Sequence, residues 1–395
     1  MSTSVEEVAG PGPLSGISVL DLSSVGPASR CTRLLADYGA EVTKVGPVPG
    51  RAAPGTTPPP WAYSAGRGTR RLQIDLRQPA GVDAFLAVAE GADVVVESFR
   101  PGVADRMGIG YSSVKERNRR VVYVSTSGYG QTGARENWAG HDLDYLAVGG
   151  YLAMSEPLAQ GRPPLPGATI ADSAAGGMHA ALAVCVALVQ RASSGEGAYL
   201  DVAVTDGVLW LMSLAVEEQL ATGTGVAPGH DVLSGRFACY GTYTAGDGRH
   251  LAVAAIEPKF FANLCELLGC SGWADKQYDE GAQEELRQVL AAAFAGRGRD
   301  EWVAVLAGAD TCVAPVHDIA EVAADPHFAE RGAFVEAVGS DGRRFRQLSP
   351  LLAGMRAPRQ PVTLPGAGTD TEALLRQAGM ASSLVAELLE AGVVA

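Results

Sequence analysis

The chain has 395 residues, of which 47% are hydrophobic and 19% are charged, and its formal net charge is −13. This length exceeds what one ordinary hydrophobic core accommodates, so we expect two domains. The composition is that of a folded protein rather than a disordered one. The negative charge argues against a nucleic-acid partner, whose phosphates need a basic surface, although a local group of arginines can still bind an anionic ligand.

The cysteines and the N-terminus indicate a cellular location. Six cysteines are scattered without a Cys-x-x-Cys pair, and no nearby histidine completes a zinc site, so reduced thiols in a cytosolic protein are the simplest interpretation. Residues 1–13 are acidic and lack the apolar run of a signal peptide. No segment approaches the roughly 20 continuous apolar residues of a membrane span. The sequence therefore predicts a cytoplasmic protein without a metal and without a membrane partner.

The first half of the chain alternates short apolar strands with helices. Strands are predicted at residues 17–22, 41–45, 72–76, 93–97, 119–125 and 199–204. Helices are predicted at residues 28–38, 80–90 and 174–190, and the last of these is apolar on nearly all sides, which predicts full burial. The alternation is that of βαβ units around a parallel sheet. Residues 98–102 follow the carboxyl end of a predicted strand, where open α/β sheets bind their ligands.

The second half of the chain has a different pattern. Residues 221–236 are Gly-rich and irregular, which is typical of a crossing between domains. The elements expected beyond it are a hairpin at 241–254, helices at 258–268, 283–294 and 300–306, and two tail helices within 371–389. The predicted domains are a large domain at 1–220, a small α/β domain at 221–330, and a C-terminal segment at 331–395 that returns to the large domain.

Three ionisable residues, His141, Asp172 and Glu257, are candidates for acid–base chemistry, and each also has a structural interpretation. His141 fits a surface histidine beside two carboxylates. Asp172 fits a helix N-cap, which accepts backbone N–H groups, although a helix N-terminus also offers N–H groups to a developing oxyanion. Glu257 precedes Pro258 at a helix start, where an acid suits the helix dipole. Spacing alone leaves both interpretations open for each residue.

Five arginines lie in predicted loops around strand ends: Arg67, Arg70, Arg71, Arg100 and Arg106. Solvated surface charge is the simplest interpretation, and a phosphate site is the alternative because the guanidinium fork binds phosphate with two hydrogen bonds. No Gly-x-Gly-x-x-Gly or Walker loop occurs where a nucleotide-binding fold would need it, and the chain contains no Gly-x-Ser-x-Gly elbow. These absences argue against a redox dinucleotide enzyme, an ATPase and a serine hydrolase.

Several stretches occur in an order that identifies a family. They are Leu-Ser-Gly-Ile-Ser-Val-Leu-Asp-Leu at 14–22, Leu-Leu-Ala-Asp-Tyr-Gly-Ala-Glu-Val at 34–42, Ser-Phe-Arg-Pro-Gly-Val at 98–103, Gly-Tyr-Gly-Gln-Thr-Gly at 128–133, Ala-Gly-His-Asp-Leu-Asp-Tyr at 139–145, Ala-Ile-Glu-Pro-Lys-Phe at 255–260 and Asp-Thr-Cys-Val-Ala-Pro-Val at 310–316. From Pro13 to about Phe334 the chain resembles the family III CoA-transferase group, which includes the α-methylacyl-CoA racemases.

The resemblance implies an α/β fold with a Rossmann-like large domain and a smaller α/β domain. It also implies a homodimer of two interlocked chains, whose active sites lie between the large domain of one chain and the small domain of the other. The substrate is expected to be an acyl-CoA, so that coenzyme A arrives as part of the substrate and no separate cofactor or metal is needed. The residues expected to bind coenzyme A are Arg67, Ser98, Phe99, Arg100, Arg106 and Asp142.

Two activities occur in this group, and they use the aspartate at the position of Asp172 differently. Transferases use it as a nucleophile, whereas racemases use it as a proton-transfer base opposite a histidine that a glutamate supports. His141 and the block around Glu257 match the racemases, residues 233–237 replace the glycine run of the transferases, and residues 167–176 are closer to the transferases.

We therefore predict a racemase of 2-methyl-branched acyl-CoA thioesters in fatty-acid metabolism. It would act by 1,1-proton transfer through an enolate, with His141 and Asp172 as the two acid/bases and Glu257 orienting His141. One alternative is an acyl-CoA:carboxylate CoA-transferase in which Asp172 is the nucleophile. The other alternative is a CoA-binding scaffold without catalytic activity.

Overall fold

The computed structural model describes residues 12–50, 66–352, 355, 362–366 and 368–395. They form two compact units. The first unit draws on residues up to 151, on 165–213 and on 326–395, and the second on 152–164 and 214–325. The boundaries predicted at 220 and 330 differ from these by a few residues, and the prediction did not group residues 152–164 with the second unit.

A six-stranded parallel sheet is the centre of the first unit. Its strands are β1 (Ser18–Asp21), β2 (Glu41–Gly46), β3 (Thr69–Gln73), β4 (Val94–Glu97), β5 (Val122–Ser127) and β6 (Ala198–Ala203). Their order is β3-β2-β1-β4-β5-β6, which confirms the prediction of a Rossmann-like sheet. β3 begins three residues earlier than predicted, because the polar residues from Thr69 onward already pair with β2.

Helices cover both faces of this sheet. They are α1 (Gly26–Asp37), α2 (Pro79–Ala89), α3 (Val103–Arg106), α4 (Tyr111–Arg117), α5 (Asp142–Val148), a π-helix (Ala171–Met178), α7 (His179–Ser194) and α8 (Val204–Leu211). The short α6 (Tyr151–Met154) comes between α5 and the π-helix in the chain, and its residues from Leu152 onward belong to the second unit. One face of the sheet forms a core with α1 and α7, in which Val122 and Val184 are fully buried. The opposite face packs against α2, where Phe85 and Tyr123 are the largest buried side chains. The unit is therefore a three-layer α/β/α structure.

The apolar helix α7 is only half buried, which corrects the prediction of full burial. Its inward stripe consists of Ala180, Val184, Ala187 and Arg191. On the other side, Leu182, Val186 and Val189 are 62%, 60% and 74% exposed. The apolar residues continue around the helix, but the sheet covers only one side of it.

The π-helix and α7 together form a run of 24 residues, Ala171–Ser194, that is long and apolar enough to cross a membrane by length and composition. It is the one such helix in the part of the chain that the structure describes. This corrects the prediction that no segment approaches the length of a membrane span. Core helices of soluble proteins meet the same criterion, so the predicted absence of a membrane partner stays a prediction.

The second unit is a smaller α/β structure. Its antiparallel sheet has the order β7-β8-β9, with β7 (Tyr240–Thr244), β8 (His250–Ala254) and β9 (Val313–Pro315). Its helices are α9 (Ser213–Thr222), α10 (Pro258–Leu267), α11 (Gln283–Phe294), α12 (Arg299–Leu306) and α13 (Ile319–Ala324). The hairpin and the three helices predicted here are confirmed, and Phe261, Leu286 and Phe294 are fully buried between them.

The C-terminal residues belong to the first unit. They form α14 (Pro326–Glu330), a sheet of β10 (Phe334–Val338), β11 (Arg344–Leu348) and β12 (Val362–Thr363), and the helices α15 (Thr371–Gln377) and α16 (Ser382–Glu390). The two tail helices are those predicted. The end of the chain lies along β3, where the N–H of Gln73 donates to Thr371 Oγ1 at 3.0 Å and the N–H of Asp75 donates to the Val393 carbonyl at 2.8 Å.

Candidate active site

The order of the parallel sheet changes direction between β1 and β4, and ligands bind at the carboxyl edge of such a point. The turn that contains residues 98–102 follows β4 there. Glu97, the last residue of β4, is buried, and its carboxylate accepts the N–H of Phe99 at 2.6 Å. Burial raises the pKa of Glu97 to about 7, although hydrogen bonds from Ser125 and Phe99 oppose the rise. This buried carboxyl fixes the start of the turn that was predicted to bind coenzyme A.

A cavity of about 430 Å³ opens beside this turn. Its walls are residues 98–101, 127–129, 136, 138–141, 144 and 145. Tyr129 packs edge-on against Trp138 and Tyr145, with ring centroids 5.9 and 5.3 Å apart. Concave sites that bind small molecules usually combine such apolar walls with a few polar groups, and His141 lies at this wall. The structure thus brings together the predicted residues Ser98, Phe99, Arg100 and His141.

His141 is the N-cap residue of α5. Its backbone N–H donates to Asp144 Oδ2 at 2.9 Å, and the N–H of Asp144 donates back to the His141 carbonyl at 2.9 Å. These two bonds fix the backbone at the cap. His141 is exposed and lies at the wall of the cavity.

Asp172 is the second residue of the π-helix and is half-buried. The predicted role as N-cap is wrong, because Ile170 occupies that position. Instead, the Asp172 N–H donates to Asp142 Oδ1 at 2.8 Å. The N–H of Ser173 donates to the Thr169 carbonyl at 3.0 Å. The N–H of Ser173, one of the groups expected to serve an enolate oxygen, is therefore already engaged. π-Helical turns occur often at functional sites.

Burial raises the pKa of the Asp172 carboxyl above its ordinary value. The positive charge of Arg30 is the largest effect that opposes this rise, Asp142 adds to the rise, and His141 lowers the pKa. His141 therefore acts electrostatically on the Asp172 carboxyl, and both residues belong to the first unit. A carboxyl group with a raised pKa is suited to accept a proton and to return it near neutral pH.

Tyr145 is a residue of this site that the sequence analysis did not single out. Its hydroxyl donates to the Gly140 carbonyl at 2.5 Å, one residue before His141. Burial raises the pKa of Tyr145 to about 12, and Asp172 contributes to the rise, so the phenol stays protonated at neutral pH. A Cβ atom at Gly140 would lie 2.8 Å from the Tyr145 ring, which explains the glycine. The signal in the sequence was an aromatic residue one helical turn after His141.

Arg30 is the second such residue. It lies on α1, and its Nη2 donates to Thr169 Oγ1 at 2.6 Å, three residues before Asp172 in the chain. No local pattern connects residues that are so far apart in the sequence. Only the packing of α1 on the π-helix brings them together.

The five arginines predicted to cluster divide into two groups. Arg100 and Arg106 follow β4 at the carboxyl edge of the sheet, are exposed, and pair with no carboxylate in the described residues. The other three lie at the amino end of β3. There Arg67 is 4% exposed and donates to Asp37 and Gln347, Arg70 donates to Gln377, and Arg71 donates to the Gly366 carbonyl. These contacts favour a structural role for Arg67 over the predicted binding of coenzyme A.

Glu257 belongs to the second unit, and the other predicted acid/base residues belong to the first. It is the N-cap residue of α10, and Pro258 lies in the first turn, as the sequence indicated. Its role beside His141 stays a prediction. Asp142 accepts the N–H of Asp172, and its predicted binding of coenzyme A stays a prediction.

Comparison with known proteins adds to this geometry. The α-methylacyl-CoA racemase of Homo sapiens is 33% identical over 379 residues, which cover 95% of this chain and 96% of that protein. The acetyl-CoA:oxalate CoA-transferase of Acetobacter aceti is 29% identical over 344 residues, which cover 83% of this chain and 87% of that protein. The crystal structure of a CaiB/BaiF family protein from Brucella suis superposes with a TM-score of 0.76 at 26% identity, covering 93% of this chain and 100% of that one.

A sequence profile provides the family-level result. The profile of CoA-transferase family III matches residues 14–371, which include the six-stranded sheet, the cavity and all the residues predicted for the site. The resemblance noted from the sequence motifs is thereby confirmed, and the chain belongs to CoA-transferase family III.

Proposed function

We propose that this protein is a racemase of 2-methyl-branched acyl-CoA thioesters, with His141 and Asp172 as its two acid/base groups. The observation that carries the proposal is the hydrogen bond of 2.8 Å from the Asp172 N–H to Asp142 Oδ1. It ties the aspartate to the helix whose cap is His141. At the coarser level the chain is an enzyme of a family that acts on acyl-CoA thioesters, and its racemase relatives at about 33% identity support the finer assignment.

In the proposed reaction, one group removes the α-proton and the other returns a proton to the opposite face of the carbon. For one enantiomer the Asp172 carboxylate accepts the proton, the C–H electron pair moves into the thioester as an enolate, and the His141 imidazolium protonates the other face. For the other enantiomer the two groups exchange roles. The thioester acidifies the α-carbon, so the mechanism uses no metal or redox group, and coenzyme A is part of the substrate.

The test is proton exchange in deuterated water. When the protein is incubated there with either enantiomer of a 2-methylacyl-CoA, we expect deuterium at the α-carbon and conversion to the other enantiomer. Mass spectrometry measures the label, and chiral chromatography measures the inversion. A protein that exchanges no α-proton with any branched acyl-CoA tested is not this racemase.

The second candidate is a CoA-transferase in which Asp172 attacks the thioester carbonyl, releases CoA thiolate and forms a mixed anhydride. Transferase relatives such as the acetyl-CoA:oxalate enzyme, at 29% identity, support it. In the same assay a transferase moves CoA to a free carboxylate, leaves the α-proton in place, and yields an Asp172 adduct that hydroxylamine traps. The two candidates therefore predict opposite results.

For coenzyme A binding, we propose that Arg100 and Arg106 contact its phosphates. Replacing Arg106 by Ala should raise the apparent KM for the acyl-CoA by about tenfold or more with little change in kcat, because a charge-assisted hydrogen bond made equally in ground and transition states is lost. The matched control is Arg119→Ala, since Arg119 is exposed but precedes β5 at the opposite edge of the sheet. A fall in kcat at constant KM would contradict the assignment.

We also propose that the protein is a cytoplasmic homodimer. The support is the apolar stripe of α7, defined as Leu182, Val186 and Val189, each more than half exposed in the single chain. Contiguous exposed apolar surface on a folded chain is typical of an interaction surface. A second copy of this chain is the proposed occupant, because the family resemblance implies two interlocked chains.

A further inference from the structure

We propose that Arg30 is a positioning residue of the candidate site, which holds a positive charge beside the Asp172 side chain and so keeps that carboxylate ionised. The proposal rests on the proposed role of Asp172, as base or as nucleophile, since both roles need the ionised form. Arg30 acts through Asp172 and is not itself placed at the reacting carbon.

Hydrogen bonds place the Arg30 side chain at the start of the π-helix. Its Nη2 donates to Thr169 Oγ1 at 2.6 Å. Thr169 is in turn joined to that helix, because its carbonyl accepts the N–H of Ser173 at 3.0 Å and its hydroxyl lies 3.4 Å from Ser173 Oγ. Asp172 lies between these two residues in the chain. The guanidinium is therefore fixed to the turn that carries the carboxylate.

Two glycines near the end of the π-helix allow α1 to approach this helix closely. A Cβ atom at Gly176 would lie 2.6 Å from Pro27 Cβ, and one at Gly177 would lie 2.7 Å from Arg30 Cβ. Both distances are shorter than packed carbon atoms permit, so any side chain at either position would push α1 away. The Gly-Gly pair thus makes the Arg30 backbone a direct neighbour of the π-helix.

The charged groups that act on Asp172 come from two helices. From α1 comes Arg30, whose effect on the carboxyl is larger than that of any other charge. From α5 come His141, which also favours the ionised form, and Asp142, which opposes it. The helix α8 also packs on the π-helix, but its carboxylate, Asp206, acts on Asp201 instead. Without Arg30, burial and Asp142 would together favour the protonated acid.

Helix stability does not explain this placement. The N-terminus of a helix carries partial positive charge, so a cation there is unfavourable for the helix and an anion is favourable. Arg30 nevertheless lies at the N-terminal turn of the π-helix. The carboxylate of Asp172 is the group that gains from this arrangement.

The test is a direct titration of Asp172, independent of turnover. The full chain is produced with aspartate labelled with ¹³C at the side-chain carboxyl, and the Asp172 resonance is identified by its loss in Asp172→Asn. In Arg30→Met we expect the titration midpoint of Asp172 to rise by about one pH unit or more, because a nearby opposite charge typically lowers a carboxyl pKa by 1–3 units. Arg30→Lys keeps the charge, so the titration midpoint of Asp172 in this variant should stay close to the wild-type value. Thr169→Val, which removes only the anchoring hydroxyl, should give a smaller rise.

Activity provides a second measurement. With the enantiomer whose α-proton Asp172 removes, the acid limb of kcat/KM against pH should move upward in Arg30→Met by the same amount, and Arg30→Lys should restore it. An Asp172 midpoint unchanged in Arg30→Met overturns the proposal, and if that variant does not fold, an unchanged midpoint in Thr169→Val overturns it equally. If the midpoint moves while the wild-type protein exchanges no α-proton, the racemase assignment fails and the role of Arg30 stands.

Discussion

Replacing Asp172 by Asn, or His141 by Ala, should lower the rate of racemisation by about 10²–10⁴-fold, the usual contribution of a positioned acid or base. Inversion needs a proton acceptor on one face of the α-carbon and a proton donor on the other, so either loss blocks both directions. The effect should appear in kcat more than in KM, because these groups act in the transition state. Asp206→Asn, an exposed carboxylate on α8, is the matched control and should retain full activity.

Each variant should also keep half of the exchange reaction. In His141→Ala, Asp172 still removes the proton from the enantiomer whose α-hydrogen faces it, so that enantiomer alone should acquire deuterium without inverting. In Asp172→Asn, the other enantiomer alone should do so through His141. If His141→Ala labels both enantiomers at equal rates, the two residues do not serve opposite faces, and the two-base mechanism is incorrect.

Loss of the dimer is the second large effect expected. The double variant Leu182→Glu and Val189→Glu places two carboxylates within the apolar stripe of α7, where the wild-type side chains are 62% and 74% exposed. If this stripe is covered by a second chain, burying unpaired charge there costs several kcal/mol per group. Sedimentation or light scattering should then show a monomer, and racemisation should be lost because the family resemblance implies sites that need both chains.

The control for this experiment is Gln190→Glu, which adds a negative charge at an exposed polar position of the same helix. It should remain dimeric and active. Circular dichroism of the double variant should show an unchanged fold, since the substituted side chains face away from the core of the first unit. If the double variant remains an active dimer, the apolar stripe is not part of the dimer interface.

The architecture could be predicted because it is encoded locally. The apolar strand Val94–Glu97 and the helix that ends before Gly39 are both found where the pattern places them. Turn and cap signals also sufficed for the hairpin around Gly248 and for Pro258 at the start of α10. Periodicity describes how a segment meets its own neighbours, and these elements depend on little else.

Properties that depend on packing between distant segments could not be predicted in the same way. The spacing around Asp172 suggested an N-cap, but the carboxyl group of Asp142 takes the N–H of Asp172 and the helix starts as a π-helix. The arginines around strand ends looked equivalent, yet Arg67 lies at the opposite edge of the sheet from Arg106. Arg30 gave no signal, because its relation to Asp172 exists only once α1 packs on the π-helix.

Close contacts at three glycines restrict which positions of the site can accept a larger side chain. Gly176 and Gly177 meet α1, and Gly207 meets the carbonyl of Ala175, so a single added methyl group at any of them collides with backbone or Cβ atoms. These positions set how closely the π-helix, which carries Asp172, packs against α1 and α8. The cavity wall also contains Trp138, whose side chain is 56% exposed and is not part of these close contacts. We therefore expect substitutions that adapt the site to other acyl groups at the position of Trp138. We expect glycine to be kept at Gly176, Gly177 and Gly207, where α1 and α8 pack on the π-helix.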